Sequence, residues 1–168
     1  MPARVLVVHP PLSVARDFID YPYFADLGAV QLAAVLRDHH ATTLVDAFAL
    51  AGASLHWRDD GRAHLGASVE AVLAACAGDF DIVVVGISPF HRPPLRDDVL
   101  AAVLVGLRAA GRPLVLADLY QSGQHYVEAP ADAILAAYPE ADAWVAYEGE
   151  LAIPAIVAGG VASRAVIG

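Results

Sequence analysis

The sequence predicts an α/β domain on a doubly wound, five-stranded parallel sheet of the flavodoxin-like or Rossmann-like kind, in the order 2-1-3-4-5. Three observations predict it. Five short apolar runs alternate with five helical patterns along 168 residues, the signature of repeated strand–helix units. The runs are apolar at consecutive rather than alternate positions, so both faces of each strand are covered. The turns between them are short, which favours right-handed crossovers into one sheet.

The first strand spans 4–8, is rich in valine, and is ended by His9-Pro10-Pro11. A helix over 27–38 follows, with Leu27, Val30, Gln31, Ala34 and Val35 on one face. The second strand is 42–45, ended by Asp46. The stretch 52–65 is polar and irregular and reads as a tolerated surface excursion, with Asp60-Gly61 the turn of a small hairpin. Next come a helix over 68–77 stopped by Gly78, a strand over 81–87, and a helix over 97–110 stopped by Gly111. A strand at 114–117, a helix at 130–138, a strand at 143–147 and a helix from about 150 to 157 complete the pattern. Residues 1–158 are read as one domain and 159–168, opening with Gly159-Gly160, as the start of a linker.

Composition excludes several classes. With 58% hydrophobic and 17% charged residues the chain is not disordered. No apolar run reaches the ~18 residues of a membrane span. The start carries none of the regions of a signal peptide, so a cytoplasmic protein is expected. A formal net charge of −9, with scattered arginines and no lysine, argues against a nucleic-acid partner. The one cysteine, Cys76, lies in an alanine-rich helical run and reads as a small core residue.

Ligands of open parallel sheets lie outside the carboxyl ends of the strands, where strand order reverses. The loops leaving strands one and three are unusual. The first carries Pro10, Pro11, Tyr21, Pro22, Tyr23 and Phe24; the third is Ser88-Pro89-Phe90-His91-Arg92-Pro93-Pro94. Rigid prolines, aromatics and a few polar groups suit a planar, partly apolar ligand. The blander reading is that prolines terminate strands. His9, His91 and His125 lie in three loops on this side, where a structural role outweighs a metal contact; His39-His40 suits a helix end. No G-x-G-x-x-G, G-x-x-x-x-G-K, G-x-S-x-G or H-x-x-x-H is present, which removes the phosphate cradles, the hydrolase elbow and a helical metal pair. No catalytic residue is assigned.

Four segments in order carry a family resemblance: Val5-Leu6-Val7-Val8-His9-Pro10-Pro11; Tyr21-Pro22-Tyr23-Phe24-Ala25-Asp26-Leu27-Gly28; Asp81-Ile82-Val83-Val84-Val85-Gly86-Ile87-Ser88; and Tyr147-Glu148-Gly149-Glu150. They resemble the cobalamin (B12)-binding domain that precedes the catalytic barrel of B12-binding radical SAM enzymes. The resemblance spans almost the whole chain. It implies a corrinoid across the carboxyl ends of the strands, near His9, Pro10, Pro11 and Leu12 after strand one and Ser88 and Phe90 after strand three. It also implies Ala117, Asp118, Gln121 and Ser122 after strand four, and Glu148, Gly149 and Glu150 after strand five. A glycine at 149 lets backbone approach a ligand closely.

Where the family has a Gly-Gly pair after strand four, this chain has Ala117-Asp118. Radical SAM chemistry needs three cysteines for a [4Fe–4S] cluster, and this chain has one. The expectation is therefore the amino-terminal part of a longer enzyme, for instance a B12-dependent methyltransferase. The cluster, S-adenosylmethionine and the partner barrel would lie downstream. Two alternatives stay open. One is an accessory domain of the same fold without a corrinoid; the other is a free-standing flavodoxin-like binder of a small molecule.

Overall fold

The computed structural model describes residues 2–15, 27–94, 96–119, 130–146, 149–161 and 165–167. Its centre is a parallel sheet of β1 (Arg4–His9), β3 (Ala41–Asp46), β6 (Ile82–Ile87), β7 (Leu114–Asp118), β8 (Ala143–Val145) and β9 (Ala165–Ile167). Their order is β3-β1-β6-β7-β8-β9. The first five give the arrangement 2-1-3-4-5 that the sequence predicts. The sixth, β9, pairs parallel with β8 (Ala143 opposite Ala165) in the stretch read as a linker start.

The consecutive apolar runs do what two-sided burial requires. On β1, Val5 and Val7 face one layer, with Leu32 and Leu36 of α1 (Leu27–Arg37) and Ile153 of α5 (Gly149–Gly159). Leu6 and Val8 face the opposite layer, with Val72 of α2 (Val69–Ala75), Leu100 and Leu104 of α3 (Asp98–Arg108) and Ile134 of α4 (Ala131–Ala137). Helix starts are chemically marked. The Ser68 side chain accepts from the Ala71 N–H at 3.2 Å, and Asp97 accepts from the Leu100 N–H at 2.8 Å. Cys76 ends α2, buried, its thiol pushed up to about 11 by desolvation.

Beside the main sheet lies a three-stranded antiparallel sheet, β2 (Leu12–Ala15), β5 (Arg62–Gly66) and β4 (Ser54–Trp57), ordered β2-β5-β4. The hairpin of β4 and β5 is the excursion the sequence marks as polar, and Gly61 turns it with φ +78°. Its partner β2 was not predicted. Leu12 sits opposite Leu65 and Val14 opposite Ala63, and these four side chains form a small core of their own. The loop after β1 is thereby pinned to a segment about fifty residues further on. Among the described residues, no helix is long and apolar enough to cross a membrane.

Candidate functional site

Because the main strands are parallel, their carboxyl ends share one rim: His9 of β1, Asp46 of β3, Ile87 of β6 and Asp118 of β7. β1 and β6 are neighbours here although β3 lies on the other side of β1, so the strand order reverses between them. At this point His9 Nδ1 lies 2.9 Å from Asp46 Oδ1, and the imidazole stacks on Phe48 with ring centroids 5.0 Å apart. Burial works against the ionised form of Asp46. Hydrogen bonds to His9 and from the Phe48 N–H outweigh it and bring its carboxyl below the usual range. An ionised Asp46 holds the ring in one orientation at the end of β1.

Past β6 the chain makes a single 3-10 turn, Pro89–His91, started by Ser88. His91 folds inward and is 1% exposed. Its Nδ1 accepts from the Ser88 N–H at 3.0 Å, so in the neutral ring the proton sits on Nε2, which is buried without a hydrogen-bond partner among the described residues. Its own carbonyl accepts from the Tyr138 hydroxyl, whose oxygen in turn accepts from the Asp97 N–H at 3.0 Å. Burial pushes the His91 imidazole down to about 3, with His9 nearby acting in the same direction. Arg92 reaches across to Asp118 at the end of β7 in an ion pair whose side chains are 6% and 7% exposed.

Three glycines from three elements meet at one residue. A Cβ on Gly28 of α1 would lie 1.8 Å from the Leu119 carbonyl oxygen. One on Gly149 of α5 would lie 2.7 Å from Leu119 Cδ2, and one on Gly86 of β6 3.3 Å from Leu119 Cδ1. The first turns of α1 and α5 and the end of β6 thus enclose a slot open enough only because it lacks side chains. Leu119 fills it and is 3% exposed.

The residues expected to meet a ligand divide accordingly. His9, Pro10, Pro11 and Ser88 lie at the rim and are buried, and Gly149 lines the slot. Glu150 is half-buried in the first turn of α5. Leu12 instead belongs to the core of the small sheet, and Ala117 to the main core. Asp118 is engaged by Arg92. Gln121, Ser122 and Glu148 lie outside the described residues, as do Tyr21, Pro22, Tyr23, Phe24 and His125. Sequence reasoning missed Asp46, Phe48 and Leu119. Asp46 had a usable signal, since it ends a predicted strand at the ligand side; Leu119 had none in the sequence.

Phe90 is half-buried and lines a cleft of about 430 Å³ with Asp60 and Arg62 of the hairpin, Arg92, Arg96 and the start of α3 at Asp97 and Asp98. The charges there are largely engaged. Arg58 forks onto Asp98 at 3.1 and 2.5 Å, Arg96 reaches Glu140 at 2.5 Å, and Arg62 donates to Ser13 Oγ at 2.6 Å. Among the described residues no three His, Cys, Asp or Glu side chains converge as metal ligands.

No family model matches the chain, and no curated protein matches it. Among solved structures, the crystal structure of a fructokinase from Xylella fastidiosa matches with 15% identity and a TM-score of 0.39. The match covers 85% of this chain and 61% of that one, so the chain spans about three fifths of its length. A likeness of that degree says nothing about activity.

Proposed function

We propose that this chain is a ligand-holding α/β domain of the kind that precedes the barrel of B12-binding radical SAM enzymes, and that its carboxyl rim receives a corrinoid. The single observation carrying the reading is the glycine-walled slot at the rim, where Gly28, Gly86 and Gly149 let another group pack directly against backbone, the place Leu119 takes here. The four sequence segments of the resemblance supply the ligand class. His9, Pro10, Pro11, Ser88 and Glu150 stand around the same rim as hydrogen-bonding and shape-setting groups. Once bound, the cobalt would carry the chemistry; the protein would hold the ring and exclude water from it. Cluster and S-adenosylmethionine chemistry belongs to a downstream domain in this reading.

The residues fit the flat part of such a ligand better than its tail. Ala117 is packed in the core and Asp118 is engaged by Arg92, where a Gly-Gly pair would leave room. Leu119 occupies the glycine slot. That occupancy favours a second reading, an accessory domain of the same fold that works without a corrinoid. Hydroxocobalamin mixed with the chain decides between them. Under the first reading its visible spectrum shifts and colour stays with the protein through gel filtration. A colourless eluate supports the second.

A further inference from the structure

The loop after β6 is held from outside itself, by the end of α4. Tyr138, the residue that closes α4, is 0% exposed, and its hydroxyl is spent on both ends of that loop. The O–H donates to the His91 carbonyl, and the oxygen accepts from the Asp97 N–H at 3.0 Å. A phenol can donate and accept at once, so a single oxygen joins two backbone groups of one loop. At the first end, His91 belongs to the 3-10 turn started by Ser88. Its N–H donates to the Ser88 carbonyl at 3.0 Å, and its Nδ1 accepts from the Ser88 N–H at 3.0 Å. At the second end, Asp97 caps α3 by accepting from the Leu100 N–H. Arg96 reinforces the grip: it donates to the Ala137 carbonyl at 2.7 Å, and its guanidinium lies 5.6 Å from the centre of the Tyr138 ring. Burial pushes the Tyr138 hydroxyl up to about 12, so it stays a donor at neutral pH.

We propose that Tyr138 is a positioning residue: its hydroxyl sets the loop after β6, and with it Ser88 at the rim and Phe90 and Arg92 at the cleft. Fully buried, Tyr138 reaches no ligand itself, so its effect on binding passes through the loop. The loop is where the rim and the cleft share a wall. Ser88 follows β6, Phe90 and Arg92 line the cleft, and Arg92 also carries the ion pair to Asp118 at the end of β7. A 3-10 turn has poorer hydrogen-bond geometry than an α-helix, so its place depends on what holds its ends. Fixing its last carbonyl to the end of a helix supplies that hold. The bearing of Tyr138 on ligands rests on the reading of the rim as a ligand site; its bearing on the loop does not.

Tyr138→Phe removes the hydroxyl and keeps the ring. Backbone amide exchange, measured without ligand, tests the positioning itself. In Tyr138→Phe the amides of His91, Arg92 and Asp97 should exchange about tenfold faster or more while those of Ile82–Ile87 stay protected. The His91 and Arg92 amides decide, because their acceptors are the carbonyls of Ser88 and Pro89 within the turn. Faster exchange at Asp97 alone would overturn the proposal and leave the hydroxyl a partner for one donor. Arg96→Met is the control, since it weakens the grip on α4 and leaves the hydroxyl in place. His91 and Arg92 should stay protected in it; equal loosening in both variants overturns the assignment to the hydroxyl. Hydroxocobalamin titration then reads the consequence. If the wild-type chain binds, Tyr138→Phe should weaken binding by about tenfold, the worth of one hydrogen bond; unchanged affinity overturns the proposal. If the wild-type chain takes up no colour, the corrinoid reading fails, and the exchange data alone decide for or against Tyr138.

Discussion

Arg92 and Asp118 form an ion pair sealed within the carboxyl rim, joining the loop after β6 to the end of β7. Two charges so placed have lost their water, and their mutual attraction is what compensates. The pair holds Asp118 at the position where the family resemblance implies glycine.

Breaking that pair from one side leaves a buried charge. Asp118→Asn or Arg92→Met should each cost about 3–5 kcal/mol of stability. Replacing both, as Arg92→Met with Asp118→Leu, should recover most of the loss, because the desolvation cost disappears with the attraction. Urea unfolding of the singles and the double measures the cycle. Equal loss in the double would mean the pair is solvated.

Gly28 and Gly149 abut the same residue, yet they should respond differently to relief. Gly28→Ala meets the Leu119 carbonyl oxygen, a backbone atom, whereas Gly149→Ala meets the tip of the Leu119 side chain. Each should cost about 1–3 kcal/mol. Adding Leu119→Ala should remove the penalty at Gly149 and leave it at Gly28. Denaturation of the four variants reads this, and rescue at both positions would refute the geometry.

Stability should fall in mild acid, and His91 should supply part of the fall. In the unfolded chain its imidazole titrates near 6.5 and in the folded chain near 3, because burial disfavours the cation. Between those values the unfolded chain binds the extra proton. Stability is therefore complete above about pH 6.5 and declines as pH drops, by up to about 1.4 kcal/mol per unit. Asp46, held low, adds to the loss at more acid pH; Asp97, raised chiefly by burial, opposes it. Thermal melts from pH 7.5 to 4.5 should show a shallower slope in His91→Gln than in the wild type. Parallel slopes would mean that His91 protonates freely in the fold.

Opening the slot should change what it accepts. Leu119→Gly removes the side chain that lies among Gly28, Gly86 and Gly149. Under the accessory-domain reading, the variant should retain hydroxocobalamin through gel filtration where the wild type does not. Under the corrinoid reading, both retain it, and the variant binds at least as tightly. Colourless eluates from both would end the corrinoid proposal.

The main sheet was legible because its signal is dense and local. Ile82-Val83-Val84-Val85 and Val5-Leu6-Val7-Val8 can be buried on both faces only in a covered parallel sheet, and each is followed by an unambiguous stop. β2 and β9 were not legible. Leu12-Ser13-Val14-Ala15 alternates over four residues only, directly after two prolines, and what makes it a strand is Ala63 and Leu65 far along the chain. β9 has three residues and is defined by pairing with β8. At the site, the strand-end rule located His9 and Ser88 and the family resemblance pointed to Asp118, but neither says which way a side chain turns. His91 turns inward, its Nδ1 accepting from the Ser88 N–H, and Asp118 finds Arg92 twenty-six positions away.

The pairing of β2 with β5 has a consequence for how such a chain can vary. A hairpin that grows from the connection between β3 and α2 looks dispensable when the sequence is read as a line. Here it is the scaffold against which the segment after Pro11 is laid, with Arg62 donating to Ser13 across the seam. Deleting the hairpin in an evolving lineage would strip Leu12 and Val14 of Ala63 and Leu65, the strand surface they cover. Shortening at one locus would therefore force compensation at the other, and the two stretches should be gained, lost and redesigned together.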